Sequence, residues 1–310
     1  MLENELNTII THVLSQILYK WINVPFEKNR DGEEYDEIFL MPENEWEDFI
    51  KKQLGKNLNQ VPWCMVFSKQ DKINIADLAG VIVRHLNEIK KSGSKYLLIS
   101  DGRYPELLRE IKNPPLAISI HGDLNILGNL KIAVVGSRKA SGFSRFETEK
   151  LAAALSLSGV TIVSGGAYGC DISAHYGAVI SGIIPVPTIV VFAGGLGQPY
   201  PRGNMDVFRD IAKRGGIFLS ERLFWQQSLP RDFPVRNRII SGLCSKVLIM
   251  QASGRSGAMV TANIALDQGR DVIVLKHSTG DIRGEGNEIL IDDGADHFKT
   301  SEEFMSRFFS

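Results

Sequence analysis

The chain has 310 residues, with 35 Lys and Arg against 36 Asp and Glu and a net charge of −1. That length supports one large domain or two moderate ones, and the near-neutral total leaves nucleic-acid binding to local clusters of charge. The three cysteines, Cys64, Cys170 and Cys244, are scattered; they exclude a disulfide framework or a cysteine-based metal site, and no cofactor is expected.

The chain opens MLENELNTII, acidic where a signal peptide is basic, and no apolar run approaches bilayer length. A cytoplasmic protein is expected. Leu2, Leu6, Ile9, Ile10, Val13, Ile17 and Leu18 recur at helical spacing across residues 2–21. A polar loop follows at 29–37, then helices at 45–53 and 75–89, with an apolar strand or buried turn at 62–67. Residues 1–95 are therefore expected to form a small, mainly helical domain that carries no recognisable chemistry.

The pattern changes at Tyr96 with YLLIS, and Pro114-Pro115 delivers an extended segment at Leu116–Ile120. From Lys131 onward short apolar runs at 132–135, 160–163, 188–193, 216–219, 246–250 and 271–275 alternate with helical stretches at 143–157, 171–181, 203–214 and 258–268. This alternation predicts an α/β fold with a doubly wound, mostly parallel sheet, and it places ligands beyond the carboxyl ends of the strands. A short helix is expected over 301–310.

The residues after each strand are therefore the site candidates. KIAVVGSRKASGFS runs from a buried strand into Gly136, Ser137 and Arg138 and then into a helix. A helix N-terminus with a hydroxyl and a guanidinium beside it suits a phosphate. Neither G-x-G-x-x-G nor G-K-[ST] is present. Ser164, Gly165 and Gly166 form a second small-residue turn, read as another anion cradle, and Asp171 is placed to cap the helix after it. His175 suits packing or hydrogen bonding better than a metal. Ser256 and Gly257 open a further helix, and the GEGN turn at 284–287 lies on the same rim. In LPRDFPVRNRIISG, Arg231, Arg236 and Arg238 flank Phe233. Cations interleaved with an aromatic suit a nucleic-acid strand. The same residues also fit a helix start whose arginines pair with acids and whose Phe packs inward.

The blocks RYPELLREIKNPPLAISIHGDL, IAVVGSRKAS, VSGGAYGCDISAHYGA, YPRGN, GIFLSE, FPVRNRIISGL, SGAMVTANIALDQGRDVIVL and GNEILIDDGA, spanning about 103–296, resemble in order the DNA-processing protein A (DprA/Smf) family. The resemblance implies an extended Rossmann-like domain over 96–300 that binds single-stranded DNA, loads the RecA recombinase, forms homodimers and is not an enzyme. It implies a phosphate pocket at Gly136, Ser137 and Arg138 with Ser164–Gly166 beside it. Arg231 is the counterpart of a basic residue that holds DNA, whereas Arg236 and Arg238 are either binding or structural. The chain departs from the family pattern at Tyr168, where Arg is usual, at Gln251, where Glu is usual, and at Lys276-His277. The C-terminal winged-helix-like domain of many members is not expected here. Two other functions compete: a sensor of a nucleotide-derived ligand, and a phosphoribohydrolase in which Glu221 is the general-base candidate.

Overall fold

Along the strand Lys131–Val135 the side chains of Ile132 and Val134 enter one hydrophobic cluster, and those of Ala133 and Val135 enter another. A strand buried on both faces needs helices on both faces. That requirement organises the molecule, which is a computed structural model describing residues 8–10, 12–13, 75–278 and 281–309. The features expected at 29–37, 45–53 and 62–67 lie outside the described residues.

The described elements are α1 (Ile75–Lys91), β1 (Lys95–Leu98), α2 (Glu106–Arg109), β2 (Ala117–His121), β3 (Lys131–Val135), α3 (Gly142–Leu157), β4 (Thr161–Ser164), α4 (Cys170–Ile180), β5 (Thr188–Val191), α5 (Met205–Lys213), β6 (Ile217–Ser220), α6 (Asp232–Gly242), β7 (Lys246–Ile249), α7 (Gly257–Asp267), β8 (Asp271–Leu275), α8 (Glu285–Asp292), β9 (Asp296–Phe298) and α9 (Ser301–Phe308). One nine-stranded sheet runs in the order β1-β2-β6-β5-β4-β3-β7-β8-β9. From β6 across to β9 every pairing is parallel. β2 joins β6 antiparallel and β1 joins β2 antiparallel.

The core divides by face. Leu151, Leu155, Ala174, Ala178, Phe208, Ile211 and Phe304, from α3, α4, α5 and α9, pack on one side with Val134 and Ile162. Ile239, Ile240, Ala262, Ala265 and Leu290, from α6, α7 and α8, pack on the other with Ala133 and Val163. The chain thus walks from β3 to β6 under one layer of helices, then returns to the far side of β3 under the other. The reversal between β3 and β7 is the topological switch point.

The expected strands and helices from 131 to 275 appear within about two residues of their observed ends, within the usual scatter of boundary assignment. The antiparallel pair β1–β2 and the short β9 were not anticipated as sheet members. Residues 8–10 and 12–13 are helical, with Ile9, Ile10 and Val13 buried. They and α1 lie against the sheet: the Tyr96 ring meets His12 at 5.9 Å and His85 at 5.1 Å, and Phe224 N–H donates to His85 Nδ1 at 3.1 Å.

Asn287 closes the far half of the sheet. Its amide oxygen accepts from Ala252 N–H at 2.6 Å, and its amide nitrogen donates to Ile249 O at 3.1 Å and Leu275 O at 2.8 Å, all fully buried. The GEGN turn is therefore the start of α8, and its Asn is a clamp across the ends of β7 and β8. Asn287→Leu removes these bonds and strands buried backbone groups at roughly 1–3 kcal/mol each; urea unfolding is expected to show a loss of about 3 kcal/mol.

His12, His85 and His175 are buried, and burial lowers each pKa from 6.5 to about 3. His175 Nδ1–H donates to Thr188 Oγ1 at 2.8 Å, because that hydroxyl gives its own proton to Ile162 O. The neutral ring is the folded form, so the unfolded chain binds more protons between pH 6.5 and 3. Stability from these groups is complete above about pH 6.5 and falls as pH drops toward 3, by about 1.4 kcal/mol per pH unit per histidine. Urea midpoints at pH 7 and 5 are expected to show the loss, and His175→Gln to reduce it by about a third.

Candidate functional site

The first turn after β3 is glycine-dependent for a packing reason. A Cβ on Gly136 would stand 2.5 Å from the Cys170 sulfur, and one on Gly169, at φ +76°, would stand 2.1 Å from Ser137 O. The N-terminus of α4 is pressed directly against the β3–α3 turn, and Cys170 N–H donates to Ser137 O at 3.2 Å. Ser137 N–H donates to Gln251 O at 2.7 Å, fixing the turn to the end of β7. Gln251 also accepts Ser141 N–H at 2.8 Å through its side-chain oxygen, a bond an ionised Glu would make equally well. Ser141 caps α3 by accepting from Ser144 N–H.

An open cavity of ≈ 650 Å³ lies at this switch point. Gly136, Ser137, Arg138 and Lys139 line it from the first turn, Phe233 and Arg236 from α6, and Ser256, Gly257 and Ala258 from the start of α7, with Tyr200 and Asp171 completing the wall. The Arg138 guanidinium sits 5.0 Å over the Phe233 ring, and the Tyr200 ring lies 5.9 Å from Phe233. Arg138, Lys139 and Tyr200 are exposed. The rim thus joins cations to aromatic faces, and the α7 N-terminus adds the positive end of a helix dipole. Such a wall sets donors suited to a phosphate beside ring faces suited to a planar group.

Arg236 is a different kind of residue. It is buried, and its guanidinium donates to Gly165 O at 2.8 Å and to Val191 O. Burial lowers its pKa to about 10, with the Asp171 charge opposing. Asp171 is raised by burial and held back by Arg236 and by the amide of Ala167, which donates to it at 3.3 Å. The cap position of α4 is occupied by Gly169, so Asp171 is not the helix cap; its carboxylate instead neutralises the turn and Arg236.

These contacts correct the reading of the second turn as an anion cradle. Ala167 N–H is taken by Asp171, Cys170 N–H by Ser137 O and Ile172 N–H by Ala167 O. Ser164 is fully buried and donates to Val134 O at 2.6 Å. A Cβ on Gly166, at φ +68°, would meet Val190 and Phe208. Ser164, Gly165 and Gly166 build the wall behind the cavity and do not line it.

Arg238 is likewise absent from the cavity lining. It forms a buried ion pair with Glu221 at 2.5 Å. Glu221, the general-base candidate, is thereby engaged and also lies outside the cavity. Arg231 is exposed at the N-terminal boundary of α6, next to the cavity-lining Pro230. The loop carrying it is anchored by the buried Arg222–Asp232 pair at 2.8 Å and by Leu229 N–H donating to Asp232 at 2.7 Å. Tyr200, a candidate as one of the residues after the 188–193 strand, lines the cavity, whereas sequence reasoning missed Lys139. Among the described residues no group of three His, Cys, Asp or Glu could hold a metal, and no helix is long and apolar enough to cross a membrane.

Removing Arg236 would strand two carbonyls and take from the buried Asp171 carboxylate its opposing charge. Arg236→Ala is expected to destabilise the fold by about 3–5 kcal/mol in thermal or urea unfolding. Arg236→Lys should restore part of it, since both carbonyls accept from the single Nη1 nitrogen and an ammonium keeps a charge facing Asp171.

The DNA recombination-mediator protein A family model matches residues 95–309. Protein Smf of Escherichia coli is 37% identical over 203 residues, which are 65% of this chain and 53% of that protein. The DNA processing protein DprA of Streptococcus pneumoniae is 36% identical over 210 residues, 68% of this chain and 73% of that protein. The chain therefore spans about half the length of the first relative and nearly three quarters of the second. The X-ray structure of S. pneumoniae DprA aligns with a TM-score of 0.65 at 30% identity, covering 86% of this chain and 93% of that one. A structure of DNA processing protein A from Helicobacter pylori, described for its single-stranded DNA binding mode, aligns with a TM-score of 0.62 at 30% identity over 69% of this chain and 96% of that one. On its sequence, its sheet topology and these matches, the chain belongs to the DNA recombination-mediator protein A (DprA/Smf) family.

Proposed function

We propose that the switch-point cavity binds the backbone and bases of single-stranded DNA, and that the protein acts in DNA processing as a binding protein without catalysis. The observation that carries this reading is the Arg138–Phe233 pair at 5.0 Å, with Tyr200 beside it and Ser137 on the same turn. Arg138 offers charge-assisted bonds to a phosphate while Phe233 and Tyr200 offer faces to unstacked bases. The single-stranded DNA binding described for the H. pylori relative supports the same assignment. Arg231 extends the positive rim at the mouth.

The wider role follows the family: a cytoplasmic protein, acting as a homodimer, that protects single-stranded DNA and hands it to RecA during transformation or repair. The expected small, mainly helical N-terminal domain over residues 1–95 remains part of this proposal with no role assigned to it.

The competing enzyme reading loses its residue, since Glu221 is buried against Arg238. Asp171 is the one carboxylate among the described residues that line the cavity; it accepts from Ala167 N–H and faces the Arg236 charge. A nucleotide sensor would be favoured by an enclosed pocket, whereas this cavity opens between exposed Arg138, Lys139 and Tyr200.

Fluorescence anisotropy with labelled oligothymidylate tests the reading. Wild type is expected to prefer the single strand over duplex, with a log–log salt slope of about −0.7 per phosphate contacted. Arg138→Ala should weaken binding by about tenfold or more and flatten the slope by about one phosphate. Phe233→Ala should weaken binding by about 1–3 kcal/mol with the slope unchanged. Equal affinity of wild type and Arg138→Ala at every salt concentration would refute the assignment.

A further inference from the structure

Arg138 belongs to two cavities. Beyond the switch point it also lines a groove of ≈ 550 Å³ between α3 and the start of α4. Gly142, Arg145, Phe146 and Glu149 form its α3 wall and stand at i, i+3, i+4 and i+7, one face of the helix. Tyr168, Ile172, Ser173 and Tyr176 form the opposite wall.

Aromatic groups dominate this groove and are largely exposed, with the Lys150 ammonium 5.7 Å over the Phe146 ring. Phe146 is 60% exposed, Tyr168 46% and Tyr176 44%. Three exposed aromatics in one groove are unusual on a surface that only has to meet water. Tyr168 is also held in place, since its hydroxyl and ring edge pack against Gly203, where a Cβ would stand 2.7 Å from Oη. Arg138 and Arg145 supply positive charge at the near end. Glu149 lies in the α3 wall, where it accepts from Ser173 Oγ at 3.1 Å.

We propose that this groove is a second subsite for the same DNA strand, continuous with the first cavity through Arg138. Arg138 and Arg145 hold successive phosphates, and Phe146, Tyr168 and Tyr176 stack on the bases that leave the first cavity. This rests on the reading of the switch-point cavity as the first DNA subsite. Continuity through a shared arginine, positive charge next to stacking surfaces and the preset Tyr168 side chain all favour an unpaired strand as the occupant. A duplex, with its bases stacked, has no ring face to offer. Glu149 repels phosphate, so the strand should run with its backbone along the Arg138–Arg145 side.

The test compares hexathymidylate with a twenty-nucleotide oligothymidylate on the full chain. Phe146→Ala/Tyr168→Ala is expected to bind the hexamer as wild type does and the twenty-mer about tenfold more weakly, whereas Tyr168→Phe should behave as wild type. Glu149→Gln should bind the twenty-mer more tightly. Both altered aromatics are exposed, so the thermal unfolding midpoint should stay unchanged. Wild-type affinity of the double variant for the twenty-mer would overturn the second subsite while leaving the first intact. Failure of wild type to bind either oligomer, or unchanged hexamer binding by Arg138→Ala, would overturn the first subsite and this one with it.

Discussion

One buried guanidinium governs the geometry of the site. Arg236 reaches from α6 across the carboxyl ends of β4 and β5, bonds the carbonyls of Gly165 and Val191 there, and faces the Asp171 carboxylate. A cation at such depth is stable only when its donors and its charge are both satisfied. That demand fixes three things together: the path of the second turn, the position of α4's first residue against the β3–α3 turn, and the placement of α6. Phe233, one helical turn earlier on α6, is thereby presented at the cavity mouth, 6.0 Å from the Arg236 guanidinium and 5.0 Å from that of Arg138.

The two arginines of the cavity therefore divide the work. Arg236 holds the scaffold through two carbonyls and the facing Asp171 charge, which leaves Arg138 as the exposed guanidinium of the cavity. Arg138 is exposed on a turn pinned at both sides, by Ser137 N–H to Gln251 O and by Cys170 N–H to Ser137 O. A side chain on a rigid turn loses less freedom on binding than one on a free loop, which favours affinity. The α7 N-terminus faces it from the far side of the switch point, so positive potential converges from β3 and β7 together.

Much of this fold was legible because the parallel strands are apolar on both faces. IAVV, TIVV and KVLI carry no polar alternation, which marks burial under two helical layers. The edge was less legible. β9 is only Asp-His-Phe, too short for a periodic signal, and the antiparallel β1–β2 pairing depends on long-range docking that local sequence does not encode. Within the site, the block Arg231 to Arg238 looked like one basic cluster. On a helix, positions 236 and 238 lie about 200° apart, so α6 sends one under the cavity and the other to Glu221. The second turn misled for a related reason. Its small residues resemble an anion cradle, but they are small because α4, Arg236 and Phe208 crowd the backbone, and Asp171 takes the amide a ligand would need.

A structure of the protein with bound hexathymidylate tests the central claim most directly. The account predicts a phosphate seated on the Ser137–Arg138 turn with an adjacent base against Phe233, and Arg236 unmoved on its two carbonyls. An oligomer bound on another face of the sheet, or one that draws Arg236 away from Gly165 and Val191, would contradict it.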